Sequence, residues 1–134
     1  MNNGKVYLIP VPVADGAHQN VIPDGVRESI KDIRHFLAED IRTARRFLSS
    51  LKIYPSIEEL SFQVLNKDTQ ASALHDFFSP VREGKDLGIL SESGCPGVAD
   101  PGALAVKYAH QQGIDVVPLT GPSSILLSLM ASGL

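Results

Sequence analysis

The sequence contains one cysteine, Cys95. That excludes an internal disulfide and a cysteine-rich zinc site. No apolar run approaches the roughly 20 residues of a membrane span. The longest near a terminus, Ile125 to Leu134, is interrupted by Ser128, Ser132 and Gly133. The opening Met1-Asn2-Asn3-Gly4-Lys5 runs into apolar residues with no small-residue cleavage site, which argues against a signal peptide. No G-x-G-x-x-G follows the first apolar run, so a dinucleotide-binding oxidoreductase is disfavoured. His35, His75 and His110 lack metal-ligand spacing, and no metal is expected; His18, in the first loop, reads as an exposed histidine or one that touches substrate. These absences leave a cytoplasmic protein of 134 residues, one domain long, with 43% hydrophobic and 20% charged residues.

Net charge is only -3, but it is unevenly spread. Between Arg27 and Lys52 seven bases (Arg27, Lys31, Arg34, Arg42, Arg45, Arg46, Lys52) face four acids, a local +3 on a body of -6. Such a patch suits phosphate. It also suits two solvated helix faces.

Short continuous apolar runs alternate with amphipathic stretches. Val6-Tyr7-Leu8-Ile9, His35-Phe36-Leu37-Ala38, Phe62-Gln63-Val64-Leu65, Leu87-Gly88-Ile89-Leu90 and Ile114 to Leu119 read as strands covered on both faces. Val26, Ile30 and Ile33 mark a helix after Pro23-Asp24. Ile41, Ala44, Phe47, Leu48 and Leu51 mark another, with bases on its opposite side. A third helix, capped by Asp68 or Thr69, uses Ala71, Leu74, Phe77 and Phe78 and ends near Pro80. Tyr54 to Leu60 fits either a short helix or a turn. A fourth long helix runs from Asp100-Pro101 to about Gln112 with Gly113 as its C-cap. The alternation predicts an α/β fold: an open, mostly parallel five-stranded sheet with helices on both faces. Ligands then sit beyond the carboxyl ends of the strands, at the loops Pro10 to Gly16, Glu39 to Arg42, Ser91 to Pro101 and Thr120 to Ser124.

After Asp115 no charged residue occurs, and Ile125, Leu126, Leu127, Leu129, Met130 and Leu134 lie around most of a helix. An all-round apolar helix is normally buried. Three explanations stand: a missing second domain packs there, the helix is a dimer interface, or it sits deep in the sheet.

Four strings carry a resemblance. They are Tyr7-Leu8-Ile9-Pro10-Val11-Pro12, Ala38-Glu39-Asp40-Ile41-Arg42-Thr43, Leu90-Ser91-Glu92-Ser93-Gly94-Cys95-Pro96-Gly97-Val98-Ala99-Asp100-Pro101-Gly102, and Val116-Val117-Pro118-Leu119-Thr120-Gly121-Pro122-Ser123-Ser124 through Ser132-Gly133-Leu134. In this order and spacing the chain resembles the tetrapyrrole methylase superfamily. Within it, the chain is most similar to the branch that methylates a ribose 2′-hydroxyl of a cytidine in small-subunit ribosomal RNA. The resemblance covers nearly the whole chain and implies the N-terminal methylase domain, residues 1–134, with a second, cofactor-completing domain absent. It further implies S-adenosylmethionine bound between the two domains, ribosomal RNA as partner, and a homodimer.

Residue by residue, the resemblance places Val13 on a cofactor-touching loop. It places Gly94, Cys95, Pro96 and Val98 around the methionine part, and Ser124 and Ile125 at the start of the last helix. There helix N–H groups would hold the cofactor. Glu39, Asp40 and Arg42 match the branch's Ala-Glu-Asp-x-Arg string. A ribose hydroxyl is a poor nucleophile, so a general base helps. Glu39 and Asp40 are the candidates, and Arg42 would orient one of them or hold a phosphate. The plainer reading is a Glu39–Arg42 ion pair with Asp40 capping the helix. Cys95, with no activating partner nearby in sequence, reads as a threonine-sized filler.

Two loops depart from the family. Pro10-Val11-Pro12-Val13-Ala14-Asp15-Gly16 replaces Pro-x-Pro-Ile-Gly-Asn-Leu, and Ser91-Glu92-Ser93-Gly94-Cys95-Pro96 replaces Ser-Asp-Ala-Gly-Thr-Pro. Other readings are a methylase of a tetrapyrrole or another small molecule, or a non-catalytic module of the same fold. With half its cleft missing, the chain alone is expected to be inactive.

Overall fold

The computed structural model describes residues 3–11, 24–90 and 102–119. Five strands form one wholly parallel sheet: β1 (Val6–Ile9), β2 (His35–Ala38), β3 (Ser61–Val64), β4 (Leu87–Leu90) and β5 (Val116–Pro118). Their order across the sheet is β3-β2-β4-β1-β5. Among the described residues five α-helices connect them: α1 (Asp24–Ile30), α2 (Ile41–Ser50), α3 (Ala71–Phe77), α4 (Ser79–Arg82) and α5 (Gly102–Gln111). A 3-10 turn, Ile57–Glu59, precedes β3.

The strand order explains the two layers. Crossovers between parallel strands are right-handed. Leftward steps (β1 to β2, β2 to β3) therefore put α1 and α2 on one face. Rightward steps (β3 to β4, β4 to β5) put α3, α4 and α5 on the other. The buried side chains divide the same way. Val26, Ile30, Phe47 and Leu48 pack with Ile9, Phe36 and Leu90. Leu74, Phe78, Val81, Ala105 and Ala109 pack with Val6, Leu37, Leu87 and Ile89. Alternation along each strand sends Phe36 to one cluster and Leu37 to the other, which is why the strands read as continuous apolar runs.

Gly88 marks the tightest point of the first layer. A Cβ there would come within 2.7 Å of both Ile9 Cδ1 and Phe36 Cδ1. The Phe36 ring stacks on Phe62 at 5.5 Å between centroids and meets Tyr54 edge-on at 6.3 Å. The Tyr54 hydroxyl donates to the Ile30 carbonyl at 2.8 Å, adding a second bond to a carbonyl at the end of α1 that also accepts the Ile33 N–H at 3.0 Å. Burial pushes the Tyr54 phenol well above its ordinary range, against an opposing pull from Arg34, so it stays a donor.

Several boundaries differ from the sequence reading. β3 begins one residue early, at Ser61, whose N–H donates to the Arg34 carbonyl. Neither Asp68 nor Thr69 caps α3. The Thr69 hydroxyl accepts from Asn66 N–H and Asn66 Oδ1 accepts from Asp68 N–H, so this polar run closes a turn and Gln70 occupies the cap. Ala71 is exposed, while Leu74 and Phe78 carry the buried face. α3 ends at Phe77, near Pro80 as expected, and Pro80 itself sits in the first turn of α4, where its missing N–H is harmless.

α5 ends as expected at Gly113, with φ +69°. Gly113 N–H donates to the His110 carbonyl and Ile114 N–H to the Ala109 carbonyl, a Schellman closure. That ties Ile114 to the helix end, so β5 starts at Val116, two residues later than the apolar run. Among the described residues no helix is long and apolar enough to cross a membrane.

Candidate functional site at the carboxyl ends of the strands

Register fixes which loops meet. Ala38 of β2 and Ile9 of β1 both pair with Leu90 of β4, so the three central strands end level. The connection after β2 leaves to the left on one face, and that after β4 leaves to the right on the other. Adjacent strands whose connections diverge in this way open a crevice beyond their carboxyl ends. Its described floor is Ile9, Ala38 and Leu90, all buried, with buried Pro10 and Val11 continuing from β1.

Glu39 and Asp40 follow β2 directly into this region. Glu39 is half-buried and Asp40 is exposed. Asp40 takes extended backbone angles as the N-cap of α2, and its Oδ1 accepts the Thr43 N–H at 3.1 Å. Its carbonyl accepts the Ala44 N–H at 3.0 Å. The sequence explains this: an Asp at N-cap offers an acceptor to helix N–H groups that would otherwise lack a partner. The carboxylate of Asp40 therefore has a structural duty. Glu39, one residue earlier and less exposed, is not the cap. Arg42 lies exposed in the first turn of α2.

The fold thus brings Glu39, Asp40 and Arg42 to one end of the sheet. Val13, Gly94, Cys95, Pro96, Val98, Ser124 and Ile125 lie outside the described residues. So do Asp100-Pro101 and the apolar segment after Thr120. Among the described residues no group of three or more His, Cys, Asp or Glu side chains could hold a metal ion.

His35 begins β2 at the amino end of the sheet, opposite the crevice. Burial lowers its pKa, and nearby Lys85 adds to the effect. His75 Nδ1 lies 3.4 Å from the Tyr108 hydroxyl on the α3–α5 side, and His110 is exposed on α5. None of these three stands at the crevice.

The described part of the crevice suits S-adenosylmethionine in one respect: a buried apolar floor lies beside a half-buried carboxylate, Glu39. A carboxylate on a low-dielectric floor attracts a sulfonium cation and accepts from ribose hydroxyls. One feature was not legible in the sequence as a site. The sequence puts Arg42, Arg45 and Arg46 on the polar side of this helix without separating them from the rest of the basic patch, whereas in the fold all three are exposed on α2 and form no ion pair among the described residues. The spacing of Arg45 and Arg46 from Arg42, three and four, with no acid in α2, was the available signal.

Comparison with known proteins follows the same lines. No protein-family model matches the chain. The chain is 30% identical over 133 residues to ribosomal RNA small subunit methyltransferase I of Halalkalibacterium halodurans, covering 99% of the chain and 43% of the relative. It is 29% identical over 133 residues to the protein of that name from Escherichia coli O157:H7, covering 99% and 44%. The protein of that name from Buchnera aphidicola is 28% identical over 131 residues, with 98% and 44% covered. The chain therefore spans less than half the length of these relatives. Among solved structures, uroporphyrin-III-C-methyltransferase from Thermus thermophilus superposes with a TM-score of 0.61 over 98% of this chain and 53% of that one, at 19% identity. The resemblance read from the motifs is borne out by the relatives, and the α/β fold by the structural match.

Proposed function

We propose that this relative of the ribosomal RNA small subunit methyltransferases I is one domain of an S-adenosylmethionine-dependent methyltransferase acting on a ribose 2′-hydroxyl of small-subunit ribosomal RNA. The observation that carries the proposal is similarity to relatives of that name over 98% to 99% of the chain. It is supported by the meeting of the Ala38-Glu39-Asp40-Ile41-Arg42 string with the ends of β4 and β1. In this reading a second domain completes the cofactor cleft, in keeping with the chain covering 43% to 44% of these relatives. The enzyme works in the cytoplasm as a homodimer.

In this reading S-adenosylmethionine supplies an electrophilic methyl group and needs no metal. By the resemblance, Gly94, Cys95, Pro96 and Val98 would hold its methionine part, and Val13, Ser124 and Ile125 would also contact it. Glu39 is the general base that takes the 2′-hydroxyl proton. Asp40 holds the first turn of α2 in place, so that Arg42, two residues on, faces the substrate phosphate. The protein's main contribution is placement of the acceptor oxygen and exclusion of water, which together supply several kcal/mol of the barrier.

The test is isothermal titration of S-adenosylmethionine and of its demethylated product into this chain and into the longer protein that contains it. Tight binding to the longer protein alone supports a cleft shared by two domains. Equal binding to both places the whole pocket within these 134 residues. Binding to neither removes the methyltransferase reading and leaves a non-catalytic module.

A further inference from the structure

We propose that the exposed side of α2, formed by Arg42, Arg45, Arg46 and Ser49, receives the sugar–phosphate backbone of the RNA substrate. The inference rests on the RNA methyltransferase reading above and narrows it to a surface.

The broad basic patch of the sequence separates into two kinds of base in the fold. On and after α1, Arg27 pairs with Asp24 at 3.1 Å and Lys31 pairs with Glu28. Arg34 lies 3.8 Å from Glu59, donates to the Lys31 and Ile33 carbonyls, and sits over the Tyr54 ring. These three cations are engaged locally. α2 differs: its ten residues include three arginines and no acid. Among the described residues Arg42, Arg45 and Arg46 form no ion pair. All three are exposed, as is Ser49.

Ion pairing among the described residues does not account for this arrangement. Arg42 stands in the first turn of α2, where the helix dipole disfavours a cation. Arg42 to Arg45 and Arg42 to Arg46 are spacings of three and four, at which like charges repel along a helix. An anionic partner relieves both penalties at once. Arg45 is also held in place: its guanidinium lies over the Phe62 ring of β3 at 5.3 Å. A guanidinium fixed by an aromatic face loses less freedom when it grips a phosphate. Arg42 and Arg46 are about 6 Å apart along the helix axis at a rise of about 1.5 Å per residue, a spacing suited to neighbouring phosphates of one strand. Arg42 follows Glu39 by three residues, so a strand lying along α2 runs toward the crevice.

The experiment measures binding of small-subunit ribosomal RNA to the chain across a salt series. It compares Arg45→Gln/Arg46→Gln with Arg27→Gln/Lys31→Gln, and titrates S-adenosylmethionine into each protein separately. The α2 variant should bind RNA about tenfold or more weakly, with a log–log salt slope shallower by about two. The α1 variant should stay within about twofold of the parent. A charge-preserving Arg45→Lys/Arg46→Lys variant should keep most of the salt slope, which separates lost contacts from a lost fold. Parental RNA affinity in the α2 glutamine variant, an equal loss in the α1 variant, or no salt-dependent RNA binding by the parent each overturns the proposal. If the α2 variant loses RNA while the longer protein containing this chain transfers no methyl group, the surface stands and the enzymatic reading falls. Methyl transfer with RNA affinity untouched by the α2 change gives the reverse.

Discussion

Asp40 Oδ1 accepts the backbone N–H of Thr43 at 3.1 Å, so one of the two adjacent carboxylates beyond β2 is spent on holding the helix that follows. The pair Glu39-Asp40 is symmetrical as a sequence and unsymmetrical as a structure. Asp40→Ala should lower stability by about 1 kcal/mol, the usual loss for an N-cap, read as a lower urea midpoint. Asp40→Asn keeps an acceptor and should stay within about 0.5 kcal/mol of the parent. If Asp40→Asn abolished methyl transfer while leaving stability intact, the division of labour between the two acids would be reversed.

The chain shows clearly which parts of such a fold are legible in advance. β1, β2 and β4 fall where their apolar runs lie, because strands buried on both faces leave a continuous hydrophobic signature. Strand order does not appear in local pattern; β4 reaches the centre only because β3 to β4 steps back across β2. The turn at Asn66–Thr69 was misread as a cap because the same side chains serve both roles and only their acceptor geometry separates them. The end of α3 near Pro80 is legible in the sequence, but the opening of α4 at the same proline is not, because proline suits a first helical turn as well as an end. At the site, Glu39, Asp40 and Arg42 stood out by their string, but the cap that separates Asp40 from Glu39 is a matter of backbone angles. The isolation of the α2 arginines depends on which acids the fold places near the others.

Gly88 should not tolerate a methyl group. Its neighbours Ile9 and Phe36 are both fully buried, and Phe36 is held between Tyr54 and Phe62. Gly88→Ala should therefore cost about 1–3 kcal/mol through overpacking, measured by equilibrium denaturation. A neutral result would mean that this layer repacks freely.

Gly113 makes a different demand. A Cβ there meets open space, yet φ is +69° and two helix-closing bonds depend on that conformation. Gly113→Ala should cost about 1–2 kcal/mol from the left-handed backbone alone, whereas Gly113→Asn should cost less. Equal losses for the two would point away from backbone conformation.

His35 gives the fold a pH dependence of known sign. Its folded pKa lies below the ordinary 6.5, chiefly through burial. Above that value the residue is neutral in both states and contributes nothing. As pH falls below 6.5 the unfolded chain takes up a proton that the folded chain resists, so stability declines. The urea midpoint should drop between pH 7.5 and pH 5.5, and drop less in His35→Gln. An identical drop in both proteins would remove His35 as a cause.

The central claim is that Glu39 takes the proton from a ribose hydroxyl of ribosomal RNA while S-adenosylmethionine supplies the methyl group. The most direct measurement is transfer of labelled methyl from S-adenosylmethionine to small-subunit ribosomal RNA by the longer protein containing this chain, with and without Glu39→Gln. The account predicts label on a ribose 2′-oxygen, and a rate lower by roughly 10²- to 10⁴-fold in Glu39→Gln, with S-adenosylmethionine affinity unchanged within a few fold. Label on a base or on a small molecule, or full activity without the Glu39 carboxylate, would contradict it.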